Sequence, residues 1–95
     1  MRGEYNVTGA GLRNAAQYGI TPAELFEVID SDTRLFSRVG EQSMLVLGVT
    51  EAGRHLVILV TESDLEPDVW DLVAAREMSE REITGYQKIR GGNDA

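Results

Sequence analysis

The chain has 95 residues, no cysteine, 42% hydrophobic residues, and nine basic against sixteen acidic side chains, for a formal charge of −7. The lack of cysteine excludes disulfides, thiolate nucleophiles and sulfur-ligated metals. The length is that of a single domain, 1–95, able to bury roughly two-thirds of its unfolded surface.

The acidity works against non-specific attraction to nucleic acid, which depends on Lys and Arg, and suits a basic protein partner better. The longest apolar run, Leu56 to Val60, is far below the ~20 residues that cross a membrane. No apolar segment follows Arg2, so the start does not read as a signal peptide, and a cytoplasmic location is expected.

In chain order, Glu4 to Val7 can form a short edge strand, and Thr8 can cap a helix from Gly9 to Tyr18. Gly19 then stands where a left-handed residue ends the helix. Thr21-Pro22-Ala23-Glu24 is a capping box with proline at the first helical position, and Ile20 and Leu25 occupy the staple positions. Leu25, Val28 and Ile29 give this second helix a core-facing stripe, and it should end near Asp30.

Beyond residue 33 the period becomes extended. Strands are expected over Thr33 to Val39, Met44 to Thr50, Arg54 to Thr61 and Val69 to Ala75, with turns at Gly40-Glu41-Gln42 and Glu51-Ala52-Gly53. The Leu56 to Val60 centre should be buried on both faces, and Glu62 to Asp68 should be a loop. Ser79-Glu80-Arg81-Glu82 is a second capping box, stapled by Met78 and Ile83. Ile83, Tyr86 and Ile89 mark the inner face of a last helix that Gly91-Gly92 should stop, leaving residues 91–95 frayed. The expected fold is therefore α+β: two N-terminal helices, a four-stranded antiparallel meander and a C-terminal helix.

Few side chains suggest chemistry. His55 is the only histidine, so the only group that ordinarily titrates near neutrality. As a general base it needs an orienting carboxylate and a cation; otherwise it is a polar residue at a strand end. Arg76 can clamp a phosphate or carboxylate, or pair structurally with Glu62 or Glu82. Asp71, between Trp70 and Leu72, must be exposed or paired, with Arg54 and Arg76 as natural partners. Trp70 and Tyr86 read as core or partner-groove aromatics. The acids from Glu62 to Asp71 form either a solvated loop or a dock for a basic partner. One histidine and no cysteine leave only weak carboxylate sites for a metal, and no cofactor motif is present.

Four stretches resemble the BrnT family of ribonuclease toxins, which have a compact RelE-like fold: Asn14 to Ile20, Leu25 to Asp30, Gly53 to Glu62, and Val73 to Glu82 with Tyr86 after it. They are similar, in order, to the family's Asn-x-x-Lys-His-Gly-Val, its apolar helix ending in Asp, its Gly-Arg-x-Leu-x-Val-x-Tyr-Thr-Glu strand, and its Ile-Ser-Ala-Arg-x-Ala-Thr-x-x-Glu with a trailing Tyr. The resemblance spans roughly residues 5–90.

It implies a metal-independent RNA-cleaving toxin, neutralised by an antitoxin with a ribbon-helix-helix-like domain that carries any contact with DNA. By the same resemblance Arg76 would be the phosphate cation, Glu62 its orienting carboxylate and Arg54 a further matching catalytic residue, with the candidate base His55 beside it. Family basic positions are occupied here by Ala10, Gln17, Tyr18, Ser63 and Asp71. The alternative expectation is therefore a catalytically inactive toxin-like module that binds a basic protein.

Overall fold

The computed structural model describes residues 4–91. The elements run β1 (Glu4–Val7), α1 (Gly9–Gln17), α2 (Pro22–Ile29), β2 (Leu35–Arg38), β3 (Ser43–Val49), β4 (His55–Glu62), β5 (Val69–Glu77) and α3 (Glu80–Gly91). The α+β class is as expected, but the antiparallel four-stranded meander is not. The sheet has five strands in the order β1-β5-β4-β3-β2, and β1 lies parallel to β5. The meander β2 to β5 is antiparallel throughout. It leaves the outer edge of β5 without partners, and β1 fills the first part of that edge.

Both helical capping boxes form. Thr21 accepts from the Glu24 amide at 3.2 Å while Glu24 accepts from the Thr21 amide at 3.0 Å. Ser79 and Glu82 make the same exchange at 3.2 and 2.8 Å. Thr8 caps α1, accepting from the Gly11 amide at 2.9 Å. Gly19 has φ +68°, the left-handed value that a residue with a Cβ adopts only with strain.

Strand boundaries shift for local reasons. The first meander strand starts at Leu35, not Thr33, because the Ser31 side chain and carbonyl hold the Thr33 and Arg34 amides in a turn. Strand β5 runs on to Glu77, so Arg76 belongs to the sheet and not to the connection after it. Of the stop expected at Gly91-Gly92 and the fraying of 91–95, Gly91 is still the last residue of α3, and the rest lies outside the described residues.

Alternation along the strands gives the sheet two faces. Helices α1 and α2 cover one, where Leu25, Val28, Leu56, Ile58, Trp70 and Leu72 form the main core. The other face carries Val57 with Met78 and Tyr86, flanked by Leu35, Leu47 and Ile83. Ile83 and Tyr86 thus face inward as expected, but Ile89 is 63% exposed. Residues 87–90 are all exposed, so α3 rests on the sheet through its first half only.

Helix α1 packs closely on β5. A Cβ on Gly11 would collide with the Leu72 carbonyl, a backbone atom that cannot swing aside. Gly11→Ala is expected to lower stability by about 1–3 kcal/mol, the usual cost of overpacking, despite alanine's better helix propensity. Urea unfolding checks this; an equally stable or more stable variant would show that the helix can move off the strand.

Candidate functional site

The second face of the sheet is only partly covered. Beside α3, Leu45, Val57, Leu59 and Ala74 floor an open groove of about 240 Å³. Its other lining residues include Asn14 from α1, Tyr18 at the C-cap of that helix, and Arg76 from β5. The helix reaches this side because β1 ends opposite Leu72, leaving the rest of the β5 edge open. Thr8 and Asn14 take over there: the Thr8 hydroxyl donates to the Leu72 carbonyl at 2.9 Å, and Asn14 Oδ1 accepts from the Ala75 amide at 3.0 Å. A register shift between Leu59 and Val60 accompanies the change, pairing Leu59 with Ala74 but Val60 with Leu72.

Arg76 stands at the groove with its side chain 46% exposed. Its guanidinium forks onto Glu82, Nη1 to Oε1 at 2.7 Å and Nη2 to Oε2 at 2.9 Å, and also donates to the Glu77 carbonyl at 3.1 Å. Glu82 therefore serves two groups at once, the arginine and the Ser79 amide. The arginine first, and then the amide, bring its carboxyl from the ordinary 4.5 down to about 2. The same hydrogen bonds raise the pKa of Arg76, so the pair stays ionised at neutral pH.

His55 lies on the same face. It stands two positions before Val57, the register partner of Arg76, and such diagonal positions are roughly 7–8 Å apart. Its ring meets Tyr86 edge-on, with centroids 5.9 Å apart and planes at 87°. Tyr86 is anchored in turn, its hydroxyl donating to the Thr33 carbonyl at 2.9 Å.

Arg54 has a different setting from that expected of a catalytic cation. Nη2 donates to the Tyr18 carbonyl at 2.6 Å and Nη1 to the Gly19 carbonyl at 2.9 Å. Nη1 also reaches the Glu24 carboxylate at 3.1 Å, and Nε reaches Glu77 at 3.2 Å. One side chain thus ties the C-terminal end of α1, the capping box of α2 and the end of β5 to the start of β4. The bond to Glu77 leads in raising its pKa, and Glu24 is lowered first by the Thr21 amide and then by Arg54. The sequence gives no sign of this convergence, since Glu24 reads as a cap and Glu77 as a linker residue.

Glu62 is not brought to Arg76. It pairs with Trp70, five β4 residues from the Val57–Arg76 pair, which at ~3.4 Å per residue is about 17 Å along the sheet. Glu82 orients Arg76 instead. Asp71 is half-buried opposite Thr61, and the ion pairs expected with Arg54 or Arg76 do not form: Arg76 lies five residues further along β5, about 17 Å at ~3.4 Å per residue, and Arg54 lies beyond the same end of the sheet, both held there by other carboxylates. Trp70 is buried in the core. Among the described residues no three His, Asp or Glu side chains gather closely enough to hold a metal ion, and no helix is long and apolar enough to cross a membrane.

No family model matches the chain, and no curated protein is significantly similar to it in sequence. The site must be read from its own geometry. That geometry offers a cation fixed by a carboxylate fork, an imidazole on the same face, and an apolar floor beside an exposed tyrosine, Tyr18. An anion can reach Arg76 only by sharing or displacing Glu82.

Two outcomes follow. Arg54→Ala is expected to lower the melting temperature more than Arg76→Ala, and Arg54→Lys to recover little of the loss, since one ammonium cannot span all four acceptor groups. Thermal denaturation of the three variants decides it; equal effects would make Arg54 an ordinary surface ion pair. Glu82, with its folded pKa below its unfolded one, contributes stability that is present above pH 4.5 and is lost as pH falls toward about 2. Glu82→Gln should therefore be less stable than the parent at neutral pH, with the difference shrinking over that acid window. A difference unchanged down to pH 2 would count against the fork.

Proposed function

We propose that this protein is a BrnT-like toxin of a bacterial toxin–antitoxin pair that acts in the cytoplasm and cleaves RNA at the open groove. The observation that carries the reading is the placement of Arg76 and His55 on one accessible face, with the arginine held in a fixed orientation by Glu82. In this chemistry the ribose 2′-hydroxyl gives up its proton and attacks the adjacent phosphorus, and the 5′-oxygen leaves and takes a proton. His55 supplies the base and Arg76 stabilises the charge developing on the phosphate. Tyr18, exposed at the groove, offers a ring face to a base. Arg54 acts at one remove, by holding the turn that presents Tyr18. A ribbon-helix-helix antitoxin neutralises the protein and supplies any binding to DNA.

A second reading is favoured by particular observations: the groove floor is apolar, both arginines are ion-paired, and the chain carries −7. On that reading the fold is a non-catalytic module that binds a basic protein.

Induced expression in a bacterium separates the two. The toxin reading expects growth arrest and cleaved RNA, with cleavage falling at least 100-fold in Arg76→Ala, on the scale of losing a charge-stabilising group. Harmless accumulation of folded protein, with RNA intact, would leave only the binding module.

A further inference from the structure

The two edges of the sheet are finished differently. At one end, β2 is flanked by cations: the Arg34 guanidinium lies 5.4 Å over the Phe36 ring, and Arg38 reaches the Gly40 and Glu41 carbonyls. Charges of this kind are how proteins keep an edge strand from pairing with other chains. At the other end, β1 reads Glu4-Tyr5-Asn6-Val7, with no lysine, arginine or proline.

Its pairing with β5 fixes which backbone groups remain open. The Glu4 amide donates to Asp68 and the Thr8 amide to Leu72, so Glu4, Asn6 and Thr8 share the inward parity. The amides and carbonyls of Tyr5 and Val7 therefore point away from the sheet.

Beside this edge lies a groove of about 400 Å³, bounded by Glu4, Tyr5, Asn6, Phe26, Ile29 and Asp30. Phe26 departs from the pattern of its helix. Leu25, Val28 and Ile29 are buried, whereas Phe26 is 47% exposed and turned to the groove. The lining is mixed: Phe26 and Ile29 supply an apolar patch on the helix side, Asn6 is polar, two carboxylates stand on the rim, and no cation is among the lining residues.

We infer that β1 and α2 form a docking site for an extended, basic segment of a partner protein, which adds as a sixth strand beside β1. The backbone groups of Tyr5 and Val7 supply the ladder, the pocket at Phe26 and Ile29 takes an apolar side chain, and Glu4 and Asp30 select for lysine or arginine. The site lies on the edge strand away from the meander and is independent of how the open groove is read.

The test titrates the ¹⁵N-labelled protein with octapeptides that alternate lysine with valine, leucine or phenylalanine. Matched peptides with glutamate for lysine, and lysine peptides N-methylated at alternate amides, serve as controls. The expected result is saturable shifts confined to the amides of Glu4–Val7 and Phe26–Asp30, weakened by salt and lost with both control sets. Glu4→Lys combined with Asp30→Lys should reduce affinity about tenfold or more; among the described residues neither carboxylate is in an ion pair, so the fold should be kept, as the unchanged spectrum of the free variant would verify. The proposal is overturned by the absence of saturable binding, by equal binding of the acidic or N-methylated peptides, or by shifts centred on Leu45, Leu59 and Ala74. Concentration-dependent shifts of Glu4–Val7 without peptide would make the occupant a second copy of this chain, and would overturn it too.

Discussion

Strand β5 is nine residues long and needs hydrogen-bond partners on both edges. Strand β4 supplies one edge along most of its length, but the meander ends at β5 and has nothing left for the other. The chain meets the need with its own beginning. Strand β1 pairs as far as Leu72, and α1 then crosses over with Thr8 and Asn14 bonded to the β5 backbone. Much else follows from this arrangement: the small residue at position 11, the parallel pairing, and the helix edge that walls the groove.

Arg54 fixes the same region from below. Helix α1 ends in carbonyls without intrahelical partners, and a cation is favoured there both by hydrogen bonding and by the helix dipole. Arg54 meets the carbonyl of the C-cap residue Tyr18 and that of Gly19 just beyond it, and its two carboxylate partners balance its charge. The arginine that faces the groove is Arg76, and its partner Glu82 is shared with the first turn of α3. The two arginines are thus divided between a structural face and an accessible one, and the accessible one is tied to the least embedded helix. Any anion that draws Arg76 from Glu82 also loosens the cap of that helix.

The acidity of the chain is distributed unevenly in its effect. Glu24, Glu77 and Glu82 are bound to arginines and contribute little outward field. Glu4 and Asp30 are exposed beside an unfinished sheet edge, where they act on whatever approaches. Net charge alone therefore says less about partners than the location of the uncompensated carboxylates.

The local punctuation was legible from the residues alone. Thr21 with Glu24 and Ser79 with Glu82 are reciprocal side chain–backbone exchanges within one turn, so spacing suffices to read them. The α+β class and the order of the elements follow from the same local signals and from the change of period after residue 33. What depends on pairing across the sheet was not legible. Whether Glu4–Val7 joins β5 in parallel, whether Glu62 or Glu82 meets Arg76, and whether Arg54 faces a groove or a helix end are set by register and by which face each residue takes. A shift of one residue reverses a side chain's face, and the bulge between Leu59 and Val60 makes such a shift. The helices and their caps are local in origin, because those interactions close within four residues. Which charges meet is set by the fold, because those contacts join residues 23 to 36 positions apart around Arg54 and need the sheet to bring them together.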